Sequence, residues 1–307
     1  MAMLHGTDSS RGLSRRWSEM RLLRTDGVTR RFGDLAAVDA VDLAVDLAVD
    51  AREVVGLLGA NGAGKTTLVK VILGLLGPSA GTVELLGGPP SRDARTRIGY
   101  LPQNLGLYTD LTVTQQLRFT GRVYGYRPEL TRVPGDAGGP IGSLPLGARR
   151  LAAFAAATGH GPELLLLDEP TSGVDPLGRA RLWERVREQA DAGRGVLIST
   201  HHLSEAEQCD RLIIMAAGRV VATGPPDQIV AGRHTVAVRT DHWQDAFTTL
   251  DDAALGVALD GRRLRVIDAP AERVAALLAS AGIPAEAHDV PATLEEVFVE
   301  LARRPAA

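Results

Sequence analysis

The 307-residue chain is short of three things: cysteine, net positive charge and long apolar runs. Its one cysteine, Cys209, has no partner for an internal disulfide, so a reducing cytosol is expected and the fold must hold by its core. Lys and Arg number 34 against 37 Asp and Glu, a net charge of −3, so no global basic excess points to nucleic acid. No apolar run approaches the ~20 residues that cross a bilayer. No apolar stretch follows the early charges, so no signal peptide is expected. If the protein serves a membrane, it does so from one face with a separate partner.

What is present is ordinary globular material, 45% hydrophobic and 23% charged, in a length that fits one large domain plus a smaller one. Residues 1–19 read as a loose arm, with Arg11, Arg15, Arg16, Arg21 and Arg24 as a solvated basic stretch. Strand-like text starts at Met20 and runs to Val55. Within it the tetrapeptide Leu43–Asp46 repeats as Leu47–Asp50. Four is an even step, so the duplication leaves each side chain on its face of a hairpin.

Apolar strands (Glu53–Leu58, Thr82–Leu86, Ile98–Leu101, Glu163–Leu167, Gly195–Ser199) then alternate with helices (Lys65–Leu76, Thr112–Tyr126, Ala148–Thr158, Leu177–Ala192). Gly77-Pro78 is the expected stop of the first helix. Pro128, Pro134, Gly135, Gly138, Gly139 and Pro140 predict loop. The alternation predicts a mainly parallel sheet covered on both faces. From His234 the order becomes β-α-β-β-α-β, the ferredoxin-like pattern, with a hairpin at Asp260-Gly261 and a last helix opened by a Thr293/Glu296 capping box.

Two motifs carry chemistry. Gly59-Ala60-Asn61-Gly62-Ala63-Gly64-Lys65-Thr66 fits G-x-x-x-x-G-K-[ST], after an apolar strand and opening a helix. The glycines let backbone N–H groups approach phosphate oxygens, and the helix N-terminus adds its positive end. Gly59, Asn61, Gly62, Ala63, Gly64, Lys65, Thr66 and Thr67 are therefore the candidate phosphate cradle. Lys65 would reach the β- and γ-phosphates, and the Thr66 hydroxyl would hold Mg²⁺. The second motif, LLLLDE, ends a buried strand in Asp168 and Glu169 at the sheet edge where ligands bind in open α/β folds. Asp168 would hold the metal shell and Glu169 would act as general base on the attacking water.

With GYLPQNLGLYTDLT (Gly99–Thr112), LLLLDEPTSGVDP (Leu164–Pro176) and STHHLSEAEQCDRL (Ser199–Leu212), the phosphate loop resembles the ATP-binding subunit of an ABC transporter over roughly residues 20–228. The resemblance implies a P-loop NTPase domain at 20–232 with a mainly parallel central sheet, an antiparallel β subdomain and a helical subdomain at about 104–160. A small α+β accessory domain would follow at 233–307. It implies Phe32 as the adenine-stacking aromatic, Gln103 as a residue touching metal or attacking water, Asp175 as a residue reaching across a dimer, and His201 as a γ-phosphate contact. It also implies ATP and Mg²⁺ as ligands, an integral membrane permease as partner, a second ATP-binding subunit, and a place at the cytoplasmic face of a bacterial membrane. The PTSGVDP and EAEQCDRL spellings and the C-terminal domain lean toward the drug- and antibiotic-export class.

One stretch departs from that pattern. Where the family reads LSGGQ, this chain reads Leu144-Pro145-Leu146-Gly147-Ala148. Pro145 brings neither hydroxyl nor N–H. Gly147 is left as the contact to the other subunit's γ-phosphate, with Arg149 and Arg150 as substitute charge. The segment from Gln103 to Leu144 is also short, which predicts a reduced helical subdomain and weaker phosphate capture across the dimer. Two other classes are open on sequence: a regulatory ABC subunit with weak hydrolysis, and an ABC ATPase unconnected with transport. The latter usually carries two such domains or a coiled-coil insertion, and this chain has neither.

Overall fold

The structure is a computed structural model that describes residues 21–46, 53–130, 138–267 and 269–303. The expected N-terminal arm, the second LAVD copy, Pro134 and Gly135 lie outside these residues. The chain divides into two compact units between Val220 and Val221.

The first unit opens with a hairpin, β1 (Arg21–Phe32) and β2 (Leu35–Asp46), paired antiparallel. Leu22, Leu23, Val28, Val38, Val41 and Leu43 are all buried. The consecutive Leu22 and Leu23 are buried on opposite faces, and register shifts interrupt the simple alternation expected of a strand with one core-facing side. Next come β3 (Val54–Gly59), α1 (Lys65–Ile72), β4 (Ala80–Leu85), α2 (Arg92–Thr96) and β5 (Ile98–Leu101). After them lie α3 (Val113–Tyr124), a 3₁₀ turn (Ile141–Ser143), α4 (Leu146–Thr158), β6 (Leu164–Asp168) and α5 (Pro176–Asp191). The run closes with β7 (Gly195–Thr200), α6 (Leu203–Ala206), β8 (Arg211–Ala216) and β9 (Arg219–Gly224), the strand within which the division falls. Among the described residues no helix lies between α3 and the 3₁₀ turn.

Two sheets result. One is three-stranded and antiparallel, in the order β2-β1-β4. The other is six-stranded, in the order β5-β6-β7-β3-β8-β9, and is parallel from β5 through β8. Strands β3, β6 and β7 are buried at every residue, which is why they read as unbroken apolar runs. Helix α1 belongs to one core with both sheets, through Leu68, Val69 and Ile72. Each such side chain contributes roughly 1.5–3 kcal/mol by leaving water.

Helix α1 ends earlier than the sequence predicts. The stop is Gly74, not Gly77-Pro78. Gly74 sits at φ 66°, Leu75 N–H bonds the Lys70 carbonyl at 2.9 Å, and Gly74 N–H bonds the Val71 carbonyl at 2.9 Å. This pair of reverse bonds is the Schellman end, which a glycine reaches without a Cβ penalty. Helix α4 starts earlier than predicted, at Leu146, because Pro145 takes the extended backbone of an N-cap.

The second unit holds α7 (Pro226–Val230), β10 (His234–Arg239), α8 (Trp243–Asp252), β11 (Gly256–Asp260) and β12 (Arg263–Ile267). Helix α9 (Ala271–Ser280), β13 (Glu286–Pro291) and α10 (Leu294–Arg303) complete it. Its sheet runs β11-β12-β10-β13 with every pairing antiparallel. Helix α7 packs on α10, which draws it into this unit, upstream of the boundary expected at 232/233. At the start of α10, Glu296 N–H bonds Thr293 Oγ1 at 3.3 Å and Thr293 N–H bonds Glu296 Oε2 at 2.7 Å. These are the two reciprocal bonds of a capping box.

Candidate nucleotide site

The register of the parallel sheet brings four strand ends, those of β3, β5, β6 and β7, to one edge. Leu58 pairs with Thr200, Asp168 with Ser199, and Leu101 with Leu167. Gly59 ends β3, and Glu169, His201 and Gln103 follow the ends of β6, β7 and β5, which is how positions far apart in sequence meet.

The loop from Gly59 to Lys65 turns tightly between β3 and α1. Gly64 sits at φ 99°, and a Cβ there would stand 2.2 Å from the Ala37 carbonyl oxygen, so only glycine fits. That contact also sets the β1–β2 hairpin against the loop. Phe32, 46% exposed, lies at the hairpin tip opposite Leu35, with the Arg30 guanidinium 4.7 Å over its ring. Asn61 and Gly62 are exposed, Ala63 is buried, and Thr67 is half-buried.

Lys65 is buried and its Nζ donates to the carbonyls of Gly59 at 2.7 Å and Ala60 at 3.1 Å. It also lies 3.6 Å from Glu169 Oε1. Burial pulls its pKa below the ordinary lysine value, against the opposing pull of Glu169 and Asp168. Thr66 Oγ1 donates to Asp168 Oδ1 at 3.2 Å, and Ser199 Oγ donates to the same oxygen at 2.5 Å. Asp168 Oδ2 is buried without a hydrogen bond. A carboxylate oxygen left bare beside a hydroxyl suits a hard cation. Among the described residues no group of three or more His, Cys, Asp or Glu side chains is arranged to hold a metal ion, so any divalent ion bound here would need ligands beyond such a cluster.

Three side chains converge on the Glu169 carboxylate. Besides Lys65, Gln103 Nε2 donates to Oε2 at 3.3 Å, and His201 Nδ1 lies 3.2 Å from Oε1. The neighbouring His202 ring tilts against His201 at 4.1 Å. The Glu169 backbone is unusual, at φ 47°, the left-handed region that costs a non-glycine residue about 1 kcal/mol or more. Asp175 caps α5, its Oδ1 accepting from Gly178 N–H at 3.0 Å. Gly147 lies in the first turn of α4, where N–H groups have no intrahelical acceptor. Leu146 lays its side chain on Gly173, where an added Cβ would stand 2.9 Å from Cδ2.

Two residues take roles that the sequence does not assign them. Arg150, expected from sequence as substitute charge for the signature contacts, is buried and turned into its own chain. Its Nη1 donates to the Glu169 carbonyl at 3.0 Å and its Nη2 to the Ser172 carbonyl at 3.0 Å. The second is Glu205, fully buried in α6. It accepts from the Thr171 hydroxyl and, at 2.8 Å, from Thr200 Oγ1, with Arg179 Nε 3.4 Å away. It thereby fastens the strand end before His201 to the segment after Glu169. Neither had a local signal beyond a charged residue on a helix. Cys209 is inert, its thiol pushed up to about 12 by burial.

Glu205→Ala strands two buried hydroxyls and leaves Arg179 without its carboxylate. We expect a loss of about 3 kcal/mol, read as a lowered denaturation midpoint. A change below 1 kcal/mol would count against this bracing role.

A parallel sheet with a glycine loop, a lysine and two carboxylates at one edge defines a P-loop nucleoside-triphosphatase. The ABC transporter family profile matches residues 43–172. The Nod factor export ATP-binding protein I of Cupriavidus metallidurans is 36% identical over 302 residues, 92% of this chain and 98% of that protein. The chain belongs to the ATP-binding proteins of ABC transporters. The probable multidrug ABC transporter ATP-binding protein YbhF of Escherichia coli is 38% identical over 244 residues, but this chain spans only 40% of its length. Among solved structures, cbiO1 of Clostridium perfringens, part of the transporter complex cbiONQ, superposes with a TM-score of 0.59 at 28% identity. That match covers 70% of this chain and 92% of cbiO1.

Proposed function

We propose that this chain hydrolyses ATP to power an export-type membrane transporter. The observation that carries the proposal is the convergence of Lys65, Gln103 and His201 on the Glu169 carboxylate, beside Thr66 and Asp168. The relatives' names, Nod factor export and multidrug transport, support export as the direction. In this reading Phe32 stacks on adenine, and the backbone from Gly59 to Thr67 cradles the triphosphate. Thr66 and Asp168 would hold Mg²⁺ with Gln103 alongside, and the ion would supply charge neutralisation of the phosphates. Glu169 takes a proton from the attacking water, and His201 steadies the γ-phosphate. Two such subunits close head to tail, Gly147 and Asp175 of each facing the other's nucleotide, and closure moves helices of a separate permease. Among the described residues no helix is long and apolar enough to cross a membrane.

The test is to purify the chain from its native membrane and identify the multi-spanning protein that accompanies it. ATPase rate is then measured with and without that protein. Stimulation by the membrane protein is expected. A rate indifferent to it, or the absence of any such companion, would overturn the transport reading.

The altered signature makes a second expectation. Pro145 caps α4 with no side-chain bond. Pro145→Ser adds a hydroxyl at that end, worth about one charge-assisted hydrogen bond to the other subunit's phosphate. Turnover should rise by up to about tenfold. Leu146 is left alone because its side chain packs on Gly173. An unchanged or lower rate in the assembled transporter would remove weak phosphate capture as an explanation of the LPLG spelling.

A further inference from the structure

Glu169 carries the catalytic carboxylate on a left-handed backbone, φ 47°. Such a conformation persists only where neighbours over-determine it. Here it is held at both ends of the residue. The N–H donates to Ser199 Oγ at 3.0 Å, and the carbonyl accepts from Arg150 Nη1 at 3.0 Å. The other terminal nitrogen of Arg150 donates to the Ser172 carbonyl at 3.0 Å, three residues further along the same loop. Arg150 is only 5% exposed, and both its terminal nitrogens are spent on backbone carbonyls of its own chain. A planar fork bridging two carbonyls sets an orientation that a single ammonium cannot. Its own helix, α4, begins at Leu146 and Gly147, the turn that faces the second subunit in the reading above.

We propose that Arg150 is a positioning residue that aims the Glu169 carboxylate from α4, so that the helix meeting the other subunit's nucleotide also sets this chain's own general base. The inference rests on the function proposed above. It differs from a phosphate contact in a definite way. An arginine that touches the other subunit's phosphate is needed for ATP-driven closure, whereas one that holds Glu169 is needed only for hydrolysis.

The experiment uses the full chain with Arg150→Met, Arg150→Lys, Glu169→Gln and the double variant Arg150→Met/Glu169→Gln. ATP–Mg²⁺ affinity is read by calorimetry, ATP-dependent dimerisation by light scattering, and kcat and KM by phosphate release. Arg150→Met should lower kcat at least tenfold, leave KM within twofold, and still dimerise with ATP. Arg150→Lys, which reaches one carbonyl only, should fall between it and the unaltered protein. The double variant should be no slower than Glu169→Gln alone, because both changes disable one group. Loss of ATP-driven dimerisation in step with kcat, a kcat within twofold of normal, or additive losses in the double variant would each overturn the proposal. If Arg150→Met does not fold, Arg150→Lys decides: kcat lowered at constant KM supports the proposal and an unchanged kcat overturns it. Failure of the unaltered protein to bind ATP, or an unaffected Glu169→Gln, would sink the proposed function instead.

Discussion

Lys65→Ala lowers ATP affinity by about a hundredfold and turnover below detection. The ammonium is buried and held across the loop by the Gly59 and Ala60 carbonyls at 2.7 and 3.1 Å. It is thus fixed at the mouth of the phosphate cradle rather than searching from solvent. Removing it deletes the charge-assisted hydrogen bond that its third N–H can make to the triphosphate, worth up to about 3 kcal/mol, which is the hundredfold. It also removes the cation 3.6 Å from Glu169. A pH series gives a second readout. Burial lowers the Lys65 pKa, and the triphosphate binds its protonated form. Affinity is therefore full below that lowered pKa and falls as pH rises through it, earlier than for an ordinary lysine. The alkaline fall should vanish in Lys65→Ala. Calorimetry between neutral and alkaline pH reads both effects, and unchanged affinity in the variant would remove the phosphate cradle from the site.

Glu169→Gln separates binding from chemistry. The side chain receives Gln103 Nε2 at 3.3 Å and lies 3.2 Å from His201 and 3.6 Å from Lys65. An amide of the same shape keeps that volume but cannot take a proton from water. Turnover should fall by about 10²–10⁴, the usual worth of a positioned general base. ATP binding should persist, because the phosphate contacts run through the loop and Lys65. Single-turnover phosphate release measures the first, and equilibrium binding the second. A fall of less than tenfold would mean that water is activated by another group.

The parts of the site legible in the sequence are those whose chemistry is local. A loop of glycines ending in Lys65-Thr66 must turn tightly, and the 2.2 Å approach at Gly64 gives the reason in this chain. A strand of leucines ending in Asp168-Glu169 must be buried and must deliver its carboxylates at an edge. The alternation of strand and helix fixed a parallel sheet, since only crossovers join parallel neighbours. The capping box at Thr293 is equally local, two side chains three residues apart.

Other features depended on neighbours distant in sequence. Helix α1 ends at Gly74 rather than at Gly77-Pro78: the Leu73 carbonyl accepts from Arg95 Nη1 at 3.2 Å, 22 residues on, and a Cβ on Gly74 would stand 2.8 Å from Pro90. Arg149-Arg150 read as substitute charge for the missing signature contacts, because the pair follows the Leu144–Ala148 stretch directly in sequence. Only the packing of α4 beside the segment after β6 turned Arg150 inward, onto two carbonyls 19 and 22 residues away. Glu205 likewise gained its meaning from Thr171, 34 residues off. Sequence settled the class of chemistry, since phosphate binding needs particular groups in a short span. Tertiary structure decided which charges serve that chemistry and which hold its parts in line, because burial and long-range partners are set by packing.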